Sequence, residues 1–355
     1  MSKFMIPRLE ALEAYVPGEQ PKDKKYIKLN TNESPYPPSP SVIDAVTRAE
    51  LEDMRLYSDP ECAALKAALA REYGVKPENV FVSNGSDETL SLFFAAYCGN
   101  EVPVFCPEIS YGFYPVYARY YGAPYNAVPM EDDLSINYRR FLGVDGNVVL
   151  ANPNAPTGIA LPVSQLREIA ESIPEHMLCV DEAYVDFGAE SALPLIRDLP
   201  NVLIVQTYSK SRSMAGARLG FAFGQPEVIA DLEKLKYSFN PYNVNRVTKI
   251  CGEAALKDGA YFRDCCAKIM REREYLSEAL KALGGELTPS LANFVFVRFP
   301  GFDGAEICAE LKARGVLIRR FNVPRIKDWL RITVGSRSEC ETLVAELKEI
   351  LGGAK

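Results

Sequence analysis

The amino-acid sequence predicts an α/β fold, in which a largely parallel sheet lies between two layers of helices and is followed by a smaller α+β domain. Short apolar strands alternate with segments of helical periodicity between about residues 59 and 224, as in proteins with helices on both faces of a parallel sheet. Longer helical segments then replace this alternation. The length of 355 residues also suits two domains.

The predicted elements follow one another in a regular order. The first forty residues are rich in Pro, Asn, Lys and Tyr and predict an extended arm. Predicted helices CAALKAALAREYG, DETLSLFFAAYC and LPVSQLREIAESIP then alternate with predicted strands NVFVS, VPVFCP, NVVLA, MLCV and NVLIVQ. After Gly224, two long helices over 227–237 and 260–283 precede strands in FVFVRF, VLIRRF and WLRITVG. We therefore expect an arm and part of the small domain over 1–45, a large domain over 46–245 and a C-terminal small domain over 246–355.

Charge and cysteine content restrict the class of ligand and the compartment. Acidic residues exceed basic ones by 47 to 40, so the field of the whole protein repels nucleic acid and anionic lipid, and an anionic ligand needs local arginines. The nine cysteines form no C-x-x-C pair and predict reduced thiols. Because the chain also shows no apolar leader and no apolar run of about 18 residues, we expect a cytoplasmic protein without a membrane partner.

Polar residues follow four of the predicted strands, where parallel α/β sheets bind ligands. The first segment, SNGSDE over 83–88, joins a strand to a helix, and its backbone N–H groups predict a phosphate-binding turn. A plain helix cap is the alternative, because Ser and Asp are favoured caps. The second segment, NPNAPTG over 152–158, is either a rigid turn or the source of an amide side chain directed at a ligand.

The third and fourth strand ends carry a carboxylate and an amine. Asp181 directly follows the apolar run MLCV, so its carboxylate needs a cation, a metal or hydrogen-bond donors. Lys210 follows NVLIVQ, and an apolar setting disfavours its ammonium form, which makes the free amine a better nucleophile towards an aldehyde. Together the four strand ends supply the amine, carboxylate, polar donors and phosphate turn that pyridoxal 5′-phosphate (PLP) chemistry requires.

Eight segments spread over nearly the whole chain carry a family resemblance. In chain order they are LNTNESPYP, RLYSDPE, SNGSDE, PEISYGFY, NPNAPTG, DEAYVDF, TYSKSRSMAGARLGF and LRITVG. In this order they resemble the fold-type I PLP enzymes, specifically the class I and II aminotransferases. The resemblance implies a large domain with a mostly parallel seven-stranded sheet, and a homodimer whose two subunits share each active site.

The resemblance also implies a role for individual residues. Lys210 would carry PLP as a Schiff base and move a proton, Asp181 would pair with the pyridine nitrogen, and Tyr184 would donate to the ring oxygen. Tyr111 would stack on the ring. Further cofactor contacts are implied for Gly85, Ser86, Asp87, Thr207, Ser209, Arg218 and the partner's Tyr57, and substrate contacts for Tyr15, Asn32, Glu33, Arg319 and Arg331. For Arg319 and its neighbour Arg320, exposed charge at a strand edge is the alternative.

One position departs from the family pattern. Members usually carry asparagine immediately before Pro-Thr-Gly, where its amide binds the ring oxygen, and this chain has Ala155 there. Either Asn154 supplies the missing amide as a cofactor contact, or Tyr184 alone holds the oxygen.

The resemblance is strongest to members that act on histidinol phosphate, in histidine biosynthesis. It implies ping-pong transfer of the amino group from L-histidinol phosphate to 2-oxoglutarate. Alternatives are a decarboxylase acting on threonine phosphate, an aminotransferase for aromatic amino acids, and a non-catalytic PLP-sensing module. The last is disfavoured because such modules follow a DNA-binding domain and the chain lacks a basic patch. The only histidine, His176, has no Cys, Asp or Glu at ligand spacing, so we expect neither a metal site nor a Ser-His-Asp triad.

Overall fold

A seven-stranded sheet lies at the centre of the molecule, in a computed structural model that describes residues 4–10, 12–99 and 101–353. The strands of the described chain are β1 (Ile27–Lys28), β2 (Val80–Ser83), β3 (Val104–Pro107), β4 (Tyr125–Val128), β5 (Asn147–Ala151), β6 (Leu178–Asp181), β7 (Val202–Thr207), β8 (Gly220–Phe223), β9 (Glu286–Leu287), β10 (Phe294–Arg298), β11 (Val316–Leu317), β12 (Arg319–Arg320) and β13 (Leu330–Thr333). The large sheet has the order β2-β8-β7-β6-β5-β3-β4. Only β8 runs antiparallel to its neighbours, which confirms the largely parallel sheet.

Helices cover both faces of this sheet. The α-helices of the described chain are α1 (Pro7–Glu10), α2 (Pro40–Ala45), α3 (Arg48–Glu52), α4 (Ala63–Tyr73), α5 (Ser86–Tyr97), α6 (Tyr114–Tyr121), α7 (Val163–Ser172), α8 (Pro226–Phe239), α9 (Arg246–Lys257), α10 (Gly259–Ala282), α11 (Gly304–Ala313) and α12 (Arg337–Gly352). Val148 and Leu150 of β5 pack with α4, α7 and α9, whereas Val149 packs with α5, α6 and α8. Each such fully buried aliphatic side chain contributes about 1.5 to 3 kcal/mol. The residues of β5 alternate between the two cores because successive side chains of a strand lie on opposite faces of the sheet.

Neither β4 nor β8 is predicted from the sequence pattern. β4 is partly polar and its first three residues are not fully buried, so the apolar signal is weak. β8 has only four residues and begins with Gly220. The strands and helices that the sequence pattern does predict lie within a few residues of their expected positions.

A second, antiparallel sheet lies in the C-terminal part of the chain. Its strand order is β12-β13-β10-β9, and α10, α11 and α12 share an apolar core with it. Strand β1 of the N-terminal arm pairs in parallel with β11, so the arm is attached to this C-terminal body. The smaller α+β domain expected from the sequence is therefore present.

The predicted domain boundaries remain a prediction, and packing favours moving one of them. Helix α9 begins just after the expected boundary at residue 245, yet its Cys251, Ala254 and Ala255 belong to the core beneath the large sheet. A boundary near residue 258 fits this packing better. The first three residues of the predicted arm, Ala11, Asn100 and the last two residues lie outside the described residues.

Two findings concern the chain as a whole. None of the helices in the described ranges combines the length and apolarity that crossing a bilayer demands. All nine cysteines are free thiols, and every one except Cys308 is buried.

The carboxyl ends of four strands meet at one edge of the large sheet. Strands β2, β5, β6 and β7 run in the same direction and end at Ser83, Ala151, Asp181 and Thr207. The antiparallel β8 begins at this edge, with Gly220 opposite both Ser83 and Thr207. The four polar segments singled out in the sequence are therefore brought together.

Candidate active site

Two adjoining cavities lie at this edge of the sheet. The inner cavity, about 320 Å³, is lined among others by Asp181, Ser209 and Lys210. The outer cavity, about 680 Å³, is lined among others by Arg319 and Arg331. The two share Thr31, Asp87, Tyr111, Ala155, Tyr184, Lys210 and Arg218 as lining residues, so they form one continuous space.

Lys210 lies on the wall shared by the two cavities. Its Nζ donates a hydrogen bond of 3.2 Å to the carbonyl oxygen of Thr31 and lies 5.9 Å from the ring centre of Tyr184. Burial, together with the positive charge of Arg331, lowers the pKa of Lys210 to about 8. A substantial fraction of this amine is therefore neutral, and nucleophilic, at slightly alkaline pH.

Asp181 ends β6 in a buried position. Its side chain follows the alternation of the strand and lies on the same face as Cys179, where α6 supplies Tyr114. The Tyr114 hydroxyl donates to Oδ2 at 2.9 Å, and the backbone N–H of Ala183 donates to Oδ1 at 3.2 Å. Burial nevertheless raises the pKa of Asp181 to about 6, because these two donors offset only part of the lost hydration. Such a carboxylate is well suited to a cationic ligand.

The turn between β2 and α5 is built as an anion site. Residues Ser86 and Asp87 open α5, so their backbone N–H groups have no partner within the helix. The Asp87 carboxylate accepts from Tyr111 at 2.8 Å and pairs with Arg218 at 3.0 Å. The Asp87 carboxylate therefore holds Arg218 and Tyr111, and its backbone N–H is the group left available to an anion. Across the edge, the Thr207 hydroxyl donates to Ser209 at 2.9 Å.

Two glycines allow the turn to lie against its neighbours. Gly85 has a φ of 79°, in the region that favours glycine, and a Cβ there would lie 2.7 Å from an Arg218 nitrogen. A Cβ on Gly220 would lie 2.4 Å from the backbone of Gly85 and Ser86. Strand β8 therefore reaches the turn only because residue 220 has no side chain.

We expect Gly220→Ala to weaken cofactor binding by about tenfold or more, because the turn must move away from β8 and its N–H groups then lose alignment. The measurement is PLP affinity by fluorescence titration. Gly224→Ala, at the other end of β8, is the matched control, since its Cβ meets neighbours only at ordinary contact distances of 3.4 Å and more. Equal PLP affinity in both variants would contradict this role for Gly220.

Tyr184 and Ala155 occupy the region predicted to face the ring oxygen. Both line the cavities, and the Tyr184 hydroxyl accepts a hydrogen bond of 3.0 Å from Asn32 Nδ2. Asn154 is directed elsewhere: its Nδ2 donates to Ile109 and Thr157, and its Oδ1 accepts from Ser110 at 2.7 Å. The amide atoms of Asn154 hold the loop, and Asn154 lines neither cavity, which favours the alternative that Tyr184 alone holds the ring oxygen; the cofactor contact of Asn154 stays a prediction.

Arg331 lines the outer cavity without a carboxylate partner among the described residues. Its Nη2 donates to the carbonyl oxygen of Asn30 at 3.0 Å, and its buried Nε has no hydrogen-bond partner. The guanidinium lies 5.5 Å from the ring centres of Phe294 and Phe321, and burial lowers its pKa. A partly buried cation without a carboxylate partner next to a cavity is a site for an anionic group.

The other predicted substrate residues lie around the same space. Arg319 lines the outer cavity while donating to the carbonyl oxygens of Val16 and Pro17, so it also holds the arm. Tyr15 lies on that arm, stacked on Phe113 with ring centres 4.2 Å apart.

Glu33 lies on the wall of the inner cavity and forms an ion pair of 2.8 Å with Lys28. Burial raises its pKa, but hydrogen bonds from Lys28 and Thr31 outweigh burial and leave the pKa lowered. Glu33 therefore stays ionised at neutral pH.

Tyr57, the residue predicted to contact the cofactor of a second subunit, lies on the open surface of the chain. Its side chain is 80% exposed and stacks on Tyr242 with ring centres 4.4 Å apart. It lines neither the inner nor the outer cavity. Its predicted contact is with the cofactor of a second subunit, so this position is compatible with that role.

Two residues of the site are missed by reasoning from the sequence. The backbone carbonyl of Thr31 accepts a hydrogen bond from the Lys210 amine, and no pattern of side chains in the sequence indicates this contact. Tyr114 donates to Asp181, yet it is one of several aromatic residues in PEISYGFYPVY and nothing local distinguishes it. Both partnerships depend on how distant segments pack.

Comparisons with known proteins agree with this geometry. The family model for aminotransferases of class I and II matches residues 24–347. A histidinol-phosphate aminotransferase of Acetobacter pasteurianus is 47% identical over 351 residues, covering 99% of each chain, and one of Clostridium botulinum (strain Okra / Type B1) is 44% identical with the same coverage. A solved structure of histidinol-phosphate aminotransferase from Sinorhizobium meliloti in complex with pyridoxal 5′-phosphate gives a TM-score of 0.90 at 27% identity, covering 100% of this chain and 99% of that one.

Proposed function

Since the chain belongs to the class I and II aminotransferases, we propose that it transfers the amino group of L-histidinol phosphate to 2-oxoglutarate, forming 3-(imidazol-4-yl)-2-oxopropyl phosphate and L-glutamate. Arg331 supports a substrate with an anionic group, and the 47% and 44% identical histidinol-phosphate aminotransferases support histidinol phosphate among such substrates. Arg331 presents a partly buried guanidinium, without a carboxylate partner in the described residues, to the cavity that Lys210 also lines. Both the phosphate of histidinol phosphate and a carboxylate of 2-oxoglutarate satisfy such a cation.

The residues of the inner cavity fit PLP. A buried carboxylate whose pKa is raised by lost hydration, Asp181, gains by facing a pyridinium nitrogen. The N–H groups that open α5, together with Arg218, Thr207 and Ser209, fit a phosphate group. Lys210 supplies an amine of lowered pKa for the aldehyde. When bound, PLP withdraws electrons from the substrate carbon that loses its proton.

The other steps of the reaction depend on individual residues of this chain. The Lys210 amine, with a pKa near 8, holds or releases a proton at Nζ beside the reacting carbon. Tyr114 and the backbone N–H of Ala183 hold the Asp181 carboxylate in place, where it would pair with the pyridine nitrogen. Arg331 orients the anionic end of the substrate, and the arm that carries Tyr15 covers the outer cavity. Tyr184 would donate from its hydroxyl to the ring oxygen, since the side chain of Ala155 offers no polar atom.

We further propose a homodimer in which the partner's Tyr57 completes the phosphate site. The exposed position of Tyr57 outside both cavities of its own chain supports this. The nine scattered free thiols support a reducing, cytoplasmic location.

The proposed substrate is tested with purified protein saturated with PLP. L-Histidinol phosphate added without an oxo acid should remove the absorbance band of the lysine-bound cofactor, and 2-oxoglutarate should restore it with release of glutamate. Initial rates should give parallel double-reciprocal lines, because one product leaves before the second substrate binds. An intersecting pattern would contradict the ping-pong mechanism.

The role of Arg331 is tested with Arg331→Gln. We expect kcat/KM for histidinol phosphate to fall about ten- to hundredfold, because a charged hydrogen bond to the anion is lost. Arg320→Gln is the matched control: Arg320 lies next to Arg319 on β12, lines neither cavity and donates to the carbonyl of Lys327. Histidinol without its phosphate should bind weakly to the wild type and lose little further in the Arg331 variant. An equal loss for both substrates would contradict recognition of phosphate by Arg331.

Decarboxylation of a phosphorylated amino acid remains the second candidate, because Arg331 and the PLP residues serve it equally well. Release of carbon dioxide from threonine phosphate, without glutamate formation, would favour it over transamination. Turnover of aromatic amino acids at the same rate as histidinol phosphate would favour the third alternative, an aminotransferase for aromatic amino acids.

A further inference from the structure

We propose that Asn32 and Thr333 are positioning residues that direct the hydroxyl proton of Tyr184 into the cavity, a proposal that rests on the function proposed above. Asn32 belongs to the N-terminal arm and Thr333 ends β13 of the C-terminal body. Tyr184 follows β6 of the large sheet. The three residues therefore connect three separate parts of the chain at the edge of the active site.

Asn32 is held from several directions. It is 1% exposed, and its φ of 56° lies in the left-handed region, which asparagine tolerates better than most residues. Its backbone N–H donates to Thr333 Oγ1 at 3.0 Å, and its carbonyl oxygen accepts from Asn293 Nδ2 at 3.0 Å. Its side chain donates through Nδ2 to the Tyr184 hydroxyl at 3.0 Å.

The hydroxyl of Thr333 decides which way the Asn32 amide faces. Thr333 Oγ1 accepts from the Asn32 backbone N–H and donates its single proton to Asn32 Oδ1 at 3.0 Å. Thr333 is 2% exposed, so a reversed amide would leave this proton without an acceptor in a buried place. The amide oxygen therefore stays on the Thr333 side, and the NH2 group stays on the Tyr184 side.

This orientation fixes the role of the Tyr184 hydroxyl. Because its oxygen accepts from Asn32, its own proton must be donated elsewhere. Within the described part of the chain it donates to no protein acceptor, and Tyr184 lines both cavities. The neighbouring Ala155 side chain has no polar atom, so the Tyr184 proton is the one this region offers to a ligand oxygen. The Asn32–Thr333 pair thus keeps Tyr184 a donor.

The test is Thr333→Val in the PLP-loaded enzyme, which keeps the side-chain shape and removes the hydroxyl. The amide of Asn32 is then free to reverse and to accept the Tyr184 proton. A donor to the ring oxygen withdraws negative charge that otherwise holds a proton on the cofactor–lysine linkage. We therefore expect the pKa read from the pH dependence of the cofactor absorbance band to rise by about one pH unit.

Two further variants separate positioning from general damage. Thr333→Ser retains the hydroxyl and should keep the wild-type pKa of the band. Tyr184→Phe removes the donor itself, and Thr333→Val added to it should shift the pKa no further, because both act through the same hydroxyl. Thr333→Ala, which also removes the hydroxyl and leaves the Asn32 amide in place, carries the same comparison should Thr333→Val not fold.

Two outcomes would overturn the proposal. One is an unchanged pKa of the absorbance band in both Thr333→Val and Thr333→Ala, and another is an additional shift of full size in the Tyr184→Phe background. In either case the wild-type band remains, and the proposed function stands without the positioning pair. A wild-type protein that forms no band with PLP overturns the proposed function first, so the two failures are distinguishable.

Discussion

Lys210→Ala is expected to lower the rate of amino transfer by about ten-thousandfold or more, because the group that binds the aldehyde and moves the proton is lost. Borohydride reduction of the wild type should attach the cofactor to the peptide that contains Lys210, identified by mass spectrometry. The variant should show no such label while still binding PLP through the phosphate turn. Labelling of another lysine at wild-type yield would contradict the assignment.

Lys210→Arg is the control that separates charge from nucleophilicity. It keeps a cation at the strand end, yet a guanidinium stays protonated and does not attack the aldehyde. We expect it to be as inactive as the alanine variant. Recovery of a large part of the activity would show that Lys210 acts only by charge.

The lowered pKa of Lys210 also predicts how cofactor loading depends on pH. Only the neutral amine attacks the aldehyde, and the pKa of Lys210 is about 8 in the protein without cofactor. Stopped-flow absorbance should show the rate of covalent loading rising up to about pH 8 and levelling above it. Since PLP itself titrates near neutrality, the profile should be compared with loading of a free model amine.

Asp181→Asn is expected to lower kcat by about a hundred- to thousandfold, because a neutral amide no longer stabilises a protonated pyridine nitrogen. The carboxamide has nearly the shape of the carboxylate and keeps a partner for Tyr114. We therefore expect PLP to bind, with an altered absorbance spectrum. Wild-type kcat in this variant would contradict the role of Asp181.

The same substitution should stabilise the protein when no cofactor is bound. The pKa of Asp181 is about 6 when folded, above the ordinary value of 3.8, so the folded state binds more protons than the unfolded state between these values. The ionised carboxylate therefore costs about 3 kcal/mol above pH 6, and this cost disappears as pH falls below about 4.

Thermal unfolding of the cofactor-free protein measures this effect. Asp181→Asn should melt several degrees above the wild type at pH 7.5, and the difference should vanish near pH 4. Saturation with PLP should reduce or reverse this difference in melting temperature, because a pyridinium nitrogen compensates the carboxylate only in the wild type. An Asn variant that melts below the wild type at pH 7.5 without cofactor would show that Asp181 is not destabilised by burial.

Local sequence patterns determined the layered architecture and the main reactive groups. Apolar runs alternating with helical periodicity are sufficient to indicate a parallel sheet, and parallel strands place their carboxyl ends along one edge. Asp181 is the last residue of β6 and Lys210 comes three residues after the end of β7, so both are brought to the same edge of the sheet by the direction of their strands. The turn at Gly85 is recognisable because a strand, a glycine and a helix start occur in succession.

Only the tertiary structure decided which partner each polar group has. Asn154 and Ala155 are adjacent, and which of them faces the cavity depends on the distant residues Ile109 and Ser110, which hold the Asn154 amide. Tyr114 reaches Asp181 because α6 packs on the β6 face that carries it. The orientation of Tyr184 depends on Thr333, 149 residues away along the chain. Hydrogen bonds have short range and fixed direction, so they are set by the packing of elements that are remote in sequence, whereas periodicity is a property of neighbouring residues.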